Sequence, residues 1–314
     1  MSVNEWPADA APVDGRAHTI GLVGAKGGVG TTVLTSSLAW ALAQRGLHVL
    51  VLDLDRRGGQ AALHLCEHNA GPTVREALQV IERLDATLLD TLLTPCGPHL
   101  RLLPAPRQWI DSAFEPDWRA EHLQHLFQTA GALADCVLLD LPPQALQEAA
   151  GSRLLESVDE AVLIGEPTLP ATFNARRAWS RLRELREEAA GEPCGRTRFV
   201  LNKAQGPHGL SAQQVRRTLG LEADARAWRE MPRSDSLVAQ ATYEGQALGA
   251  LDPRHALSRA LALWASECAS GIPQRHREAA TGPTAWAAPL TPVSAPVHKP
   301  FVGTWRERLQ RWAT

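Results

Sequence analysis

From His18 to about Cys268, short β-rich apolar runs alternate with longer stretches whose apolar positions recur at helical spacing. That alternation predicts parallel strands joined by crossover helices. His18–Gly24 reads as the first strand. Val33, Leu34, Leu38 and Leu42 place a helix over 32–44, and Gly46 supplies the left-handed residue that lets the chain turn. The run HVLVLDLD (48–55) is apolar on both faces, so it is expected in the middle of the sheet. Further strands are expected at 99–104, 136–142, 159–167 and 196–203, and helices near 117–133, 171–189, 211–219 and 254–268. No internal repeat is found. The expected fold class is α/β, a doubly wound and mostly parallel sheet flanked by helices.

The ends of the chain read differently. The pattern divides it into a flexible N-terminal extension (1–17), one domain (18–270), a Pro/Ala-rich linker (271–300) and a short basic amphipathic segment (301–314). In that last segment Phe301, Trp305, Leu309 and Trp312 share a helical face opposite Arg306, Arg308 and Arg311. Such a face suits a membrane surface or a partner's groove, and an unstructured tail is the alternative.

Charge and composition narrow the function. With 32 basic and 34 acidic residues the net charge is −2, which argues against a protein built to neutralise a nucleic-acid backbone. The arginine-rich helix at 175–192 interleaves five arginines with Glu184, Glu187, Glu188 and Glu192 and reads as a solvated, ion-paired face. No apolar run reaches the roughly 18 residues of a membrane span, and the polar start lacks a signal-peptide layout, so a cytoplasmic protein is expected. The five cysteines (Cys66, Cys96, Cys136, Cys194, Cys268) are scattered, with no C-x-x-C pair and no His at ligand spacing. They read as partly buried thiols of a reducing compartment, a metal or cluster role being the lesser reading. Only Lys26, Lys203 and Lys299 are lysines, so 32 − 3 = 29 basic residues are Arg. A retained lysine marks a place where a compact ammonium is wanted.

The strongest chemical signal is GLVGAKGGVGTTVLTSSLAWAL, a strand running into a glycine-rich turn that opens a helix. Without Cβ atoms the backbone can curl its N–H groups around a phosphate and aim the helix N-terminus at it. Two acidic strand ends downstream, LDLD and LLDLP, complete a nucleotide-binding set.

This loop resembles the deviant Walker A motif of the MinD/ParA ATPase superfamily, and the fold implied is a SIMIBI-type P-loop NTPase. The resemblance implies a role for each matching residue. Lys26 holds the position of the lysine that reaches a dimer partner's ATP. Gly27, Gly28, Val29, Gly30, Thr31 and Thr32 form the phosphate loop, with the Thr32 hydroxyl on Mg²⁺. Asp53 and Asp140 match the switch I and Walker B carboxylates near the metal, and Asp55 matches the residue that orients the attacking water. Asn202 resembles the adenine-reading asparagine, and Pro232 and Arg233 lie in a segment resembling the one that wraps the base. The implied cofactors are ATP and Mg²⁺, and the implied assembly is a homodimer with ATP sandwiched between protomers.

Thr31 departs from the superfamily pattern, in which a lysine there contacts the β- and γ-phosphates. Losing that cation removes a contribution worth a few kcal/mol of barrier, so hydrolysis is expected to be slow or absent. Arg56 and Arg57 follow switch I where relatives have Pro and Gln. They read either as a solvated pair or as a partial replacement for the missing lysine. The GGVGTT loop, the L-D-L-P strand end and RSDSLVAQA together resemble the BcsQ-type proteins of bacterial cellulose-secretion operons, over roughly residues 18–268. That resemblance implies an ATP-dependent regulator or assembly factor recruited to the inner-membrane cellulose synthase complex. It also implies BcsR-like and BcsE-like partners; the near-neutral charge separately predicts no specific nucleic acid, and the amphipathic tail, which the resemblance does not cover, predicts a peripheral membrane contact. The alternatives are a MinD/FlhG-like membrane-cycling ATPase, a ParA-like positioning ATPase, a cluster-bridging redox ATPase, and a module that binds nucleotide without turning it over.

Overall fold

The computed structural model describes residues 17–66, 71–106, 118–188, 196–205 and 209–272. In chain order the elements are β1 (His18–Gly24), α1 (Thr31–Ala43), β2 (Val49–Asp53), α2 (Ala61–Leu65), α3 (Val74–Gln79), α4 (Ala86–Leu92), β3 (Thr94–Gly97) and β4 (Leu100–Leu103). They continue with α5 (Ala120–Gly131), β5 (Cys136–Leu141), α6 (Ala149–Ser157), β6 (Glu160–Gly165), α7 (Leu169–Glu188), β7 (Arg196–Ala204) and α8 (Ala212–Thr218). The last are β8 (Trp228–Pro232), α9 (Asp235–Glu244), α10 (Leu248–Leu251) and α11 (Ala256–Ala269).

The eight strands form one sheet in the order β3-β4-β2-β5-β1-β6-β7-β8. Every pairing is parallel except β3 with β4, an antiparallel hairpin at the edge. The inner strands β2, β5 and β6 are buried at every position, as their mostly apolar sequences require, and each also buries one carboxylate, Asp53, Asp140 and Glu160. Two apolar layers cover the sheet. One holds the buried faces of α1 and α11 with Leu34, Leu38, Leu42 and Trp264, and the other holds those of α5 and α7 with Leu126, Phe127, Trp179 and Leu182. β1 lies between β5 and β6, while the chain leaving β1 runs through α1 to β2 on the far side of β5. The connections therefore part at the carboxyl end of β1, where open α/β sheets form their crevice.

The elements expected from periodicity are present with ends shifted by a few residues, and the doubly wound class holds. The eight elements that periodicity passed over are short, from β3 and α10 at four residues to α9 at ten. A one-turn helix carries too few apolar repeats to register. Two of these short stretches did carry a local signal. Thr73 and Glu76 close a capping box on α3. Gln246 instead bonds back to Ala241 past the left-handed Gly245, ending α9.

The arginine-rich helix needs one correction. Arg181–Glu184 and Arg183–Glu187 are surface ion pairs at 3.5 and 3.0 Å, as a solvated face implies. Arg186, however, is buried and donates to the carbonyls of Leu155, Glu156 and Val158 at 3.0, 3.1 and 2.6 Å. All three carbonyls converge on Nη1, at the end of α6 where the last carbonyls lack intrahelical partners. Residues 1–16 of the expected extension (1–17), 273–300 of the linker and the amphipathic segment (301–314) lie outside the described residues, as do Cys194 and Glu192, while Ala17 is buried.

Candidate nucleotide-binding site

The residues expected to bind nucleotide and metal lie at or near the carboxyl ends of the strands. β1 ends at Gly24, and the turn 25–30 leads into α1 with Gly30 as its first capping residue, at φ +93°. Gly28 stands at φ +82°. Both are left-handed positions that an L side chain resists. A Cβ on Gly30 would lie 2.5 Å from Asn202 Nδ2, whereas Gly27 and Gly28 have open space where a Cβ would be. The first intrahelical bond of α1 runs from Leu34 N–H to the Gly30 carbonyl at 3.1 Å. No side chain caps the helix and no acidic residue occupies its first turn, so the leading amides face the crevice without a side-chain acceptor. Val29 is fully buried and anchors the loop in the core.

Asn202 fixes the loop from behind. Its Nδ2 donates to the Val29 carbonyl at 2.8 Å, and its Oδ1 accepts the Lys203 amide at 2.9 Å. One amide hydrogen and one acceptor lone pair are left over for a ligand. Lys203, at φ +55°, sends its ammonium back across the loop to the Gly28 carbonyl, 2.8 Å away.

Glu166, just past the end of β6, joins the two lysines. Lys26 Nζ is 3.1 Å from Glu166 Oε1 and Lys203 Nζ is 2.8 Å from Oε2. Partial burial by itself would raise this carboxyl; the hydrogen bonds from Lys203 and Lys26 outweigh it and hold it below the ordinary glutamate range. Glu166 falls within the strand expected at 159–167, yet only the tertiary fold shows that both motif lysines meet there.

On the other side of β1, β2 and β5 run in register with Asp53 beside Asp140. Both are buried. Asp53 accepts the amides of Asp55 and Ala61 at 3.2 and 3.0 Å. Burial, and then the charge of Asp140, raise its carboxyl well above the ordinary aspartate range. Burial pushes Asp140 up to about 7, against the hydrogen bonds of the Thr32 and Thr35 hydroxyls. Asp140 Oδ2 is buried with no hydrogen-bond partner. Two adjacent buried carboxylates, one with an orphaned oxygen, form a site that a cation would relieve. Thr32, Asp53 and Asp140 therefore fit Mg²⁺. Among the described residues no group of three or more His, Cys, Asp or Glu can hold a metal by itself. An ion here would draw its remaining ligands from water and phosphate, which is how Mg²⁺ is usually held. Gly59 packs so close that a Cβ on it would lie 2.3 Å from Asp53 Oδ1, a constraint that no motif announced.

Asp55 opens the turn after β2 and accepts the Arg57 amide at 3.0 Å. Arg56 is neither solvated nor turned to the phosphate loop. Its Nη2 pairs with Glu148 Oε1 at 3.0 Å, and its guanidinium lies 6.0 Å from the centre of the Trp118 ring. Arg57 is exposed. Thr31 folds its hydroxyl toward the end of β1, where a Cβ on Gly24 would come within 2.7 Å of it. Pro232 pairs with Ala204 in register, and the Arg233 amide donates to the Ala204 carbonyl at 3.0 Å. The exposed Arg233 guanidinium binds Asp235 at 2.6 Å.

What the strand ends assemble is a phosphate-accepting crevice, and its class is that of the P-loop nucleotide-binding α/β proteins. Within that class the chain belongs to the CobQ/CobB/MinD/ParA nucleotide binding domain family, which residues 20–246 match. It is 28% identical over 281 residues to the iron-sulfur cluster carrier protein of Mycobacterium tuberculosis, covering 85% of this chain and 68% of that one. It is 32% identical over 171 residues to the chromosome-partitioning ATPase Soj of Thermus thermophilus, covering 52% and 64%. Its fold superposes on a ParA family ATPase from Chlorobium tepidum with a TM-score of 0.68 at 24% identity, covering 80% and 98%. The septum site-determining protein MinD of Pyrococcus horikoshii, complexed with Mg-ADP, gives 0.62 at 19%, covering 80% and 96%. At these identities the structural likeness shows the fold alone. Among the described residues no helix is long and apolar enough to cross a membrane.

Proposed function

We propose that this protein binds ATP with Mg²⁺ at the β1–α1 loop and works as a nucleotide-controlled dimeric switch with slow or absent hydrolysis. The observation that carries the reading is the pairing of Lys26 with a phosphate loop that has Thr31 where a catalytic lysine would stand. The loop amides and the leading amides of α1 take the phosphates, and Asn202 and Lys203 hold the loop in shape. Thr32, Asp53 and Asp140 hold the metal, which when bound neutralises phosphate charge. Asp55 is the residue placed to orient water, and Pro232 and Arg233 border the base. A triphosphate buried between two protomers needs cations from both, and Lys26 is the one each would lend. Leu169 and Phe173, 72% and 64% exposed and one turn apart at the start of α7, supply apolar area beside Glu166 for the same contact. Without the loop lysine such a dimer is long-lived, acting as a scaffold more than a timer.

The likeness of the GGVGTT loop and the RSDSLVAQA stretch to BcsQ-type proteins supports placing that scaffold at a cellulose-secretion complex. Lys26→Ala tests the core of the reading: it is expected to stay folded and monomeric with a non-hydrolysable ATP analogue, whereas the wild type dimerises. A dimer that persists in the variant refutes the lysine's role. Binding to nonspecific duplex DNA, or nucleotide-dependent flotation with liposomes, would instead favour a ParA-like or MinD-like cycle.

A further inference from the structure

The fold brings together two cysteines that the sequence keeps thirty residues apart. Cys66 is the residue that ends α2, and Cys96 lies in the edge strand β3, with their sulfurs 2.8 Å apart. Both are free thiols. Cys66 is buried and Cys96 is partly exposed. Two thiolates on one tetrahedral zinc, each about 2.3 Å from the metal, stand about 3.8 Å apart. The observed pair is closer than that, and the described residues offer no third ligand. A disulfide needs about 2.05 Å, a further approach of about 0.8 Å that side-chain rotation can supply.

We propose that Cys66 and Cys96 are a modification site, closing to an intramolecular disulfide when the protein meets a low-molecular-weight disulfide such as oxidised glutathione. The Cys96 thiolate, the more accessible, attacks one glutathione sulfur and expels a glutathione thiolate. Cys66, having lost its proton to solvent, then attacks Cys96 Sγ and expels the second. Two protein thiols and one oxidised glutathione become one protein disulfide and two reduced glutathiones. The hydrogen bond to Cys66, and then burial, hold the Cys96 thiol well above its ordinary pKa, so the exchange quickens as pH rises.

The bond would reach the site. α2 begins at Ala61, whose amide holds Asp53, and it packs on α1 and α9. Closing Cys66 onto Cys96 fixes the far end of α2 to the sheet edge and loops out α3 and α4. The inference stands on the sulfur geometry and does not depend on the nucleotide reading.

The test is to hold the full-length reduced protein with oxidised glutathione at alkaline pH, alkylate it in denaturant and map the peptides without reduction. The expected result is loss of two of five alkylatable thiols, one peptide pair joining Cys66 to Cys96, and a rise in Tm of about 5–10 °C that dithiothreitol reverses. Cys66→Ser should stop at a mixed disulfide on Cys96. Five thiols still alkylatable, mixed disulfides alone in the wild type, or a bond through Cys136, Cys194, Cys268 or a second chain would each overturn the proposal. Mapping the wild type decides the matter even if the serine variant fails to fold.

Discussion

Lys26 Nζ stands 3.1 Å from Glu166 Oε1, so the lysine proposed to reach a partner's nucleotide is held by a carboxylate of its own chain. The same carboxylate takes Lys203 from the other side, and Lys203 in turn braces the phosphate loop at Gly28. A cation in this arrangement cannot leave for a triphosphate without breaking an ion pair first.

Removing that restraint should favour assembly. Glu166→Gln is expected to lower the protein concentration needed for dimerisation with a non-hydrolysable ATP analogue by about three- to tenfold, a modest change of the size a partly exposed ion pair carries. Light scattering across a concentration series measures it. An unchanged threshold means the pair does not restrain Lys26.

The paired carboxylates give a pH dependence in metal-free buffer. Asp140 is raised from 3.8 to about 7 in the folded state. A raised pKa means its stabilising share is fully present below about 3.8 and is lost as pH rises through about 7. Asp140→Asn removes this loss. The variant is expected to be more stable than the wild type at pH 8, on the order of a few kcal/mol, with the gap closing toward pH 4. It should also lose Mg²⁺-dependent nucleotide binding. Denaturant melts at several pH values check the first expectation, and equal slopes for the two proteins would count against it.

Thr31→Lys restores a cation where charge develops on the transferred phosphoryl group. Single-turnover phosphate release is expected to rise at least tenfold, within the range of one electrostatic contact to a transition state. Release at the wild-type rate would show that turnover is limited elsewhere.

Gly30→Ala places a methyl group against Asn202 Nδ2 at a left-handed backbone position. A loss of roughly 1–3 kcal/mol in stability is expected, together with weakened nucleotide binding. Thermal melts and a fluorescent nucleotide titration measure the two effects. For the stability effect the control is Gly27→Ala, where the added Cβ meets no protein atom.

Much of the scaffold was legible along the chain because its signals are local. Short β-rich runs that are apolar on both faces, such as VLVL of β2 and CVLL of β5, place strands buried on both faces, and a glycine turn between a strand and a helix needs no distant partner to be recognised. Short helices such as α2 and α10 were not legible, since one turn carries too little periodic signal and is held by packing. Arg186 was misplaced for a related reason. Its position in a charged run says nothing about the three carbonyls of α6 and the turn after it that draw it inside.

What the sequence determined by itself is therefore the order of the main strands and helices and the groups at their ends: glycines and Lys26 after β1, Asp53 and Asp55 at the end of β2, Asp140 in β5. Only the tertiary structure decided which of these groups meet. Placing β5 between β1 and β2 sets Asp140 against Asp53, and placing β6 and β7 beyond β1 brings Glu166 between Lys26 and Lys203. The hairpin at the opposite edge brings Cys96 onto Cys66. Periodicity reports which face of an element is apolar, but it carries no information about which strands become neighbours, and neighbours set the distances on which charge and sulfur chemistry depend.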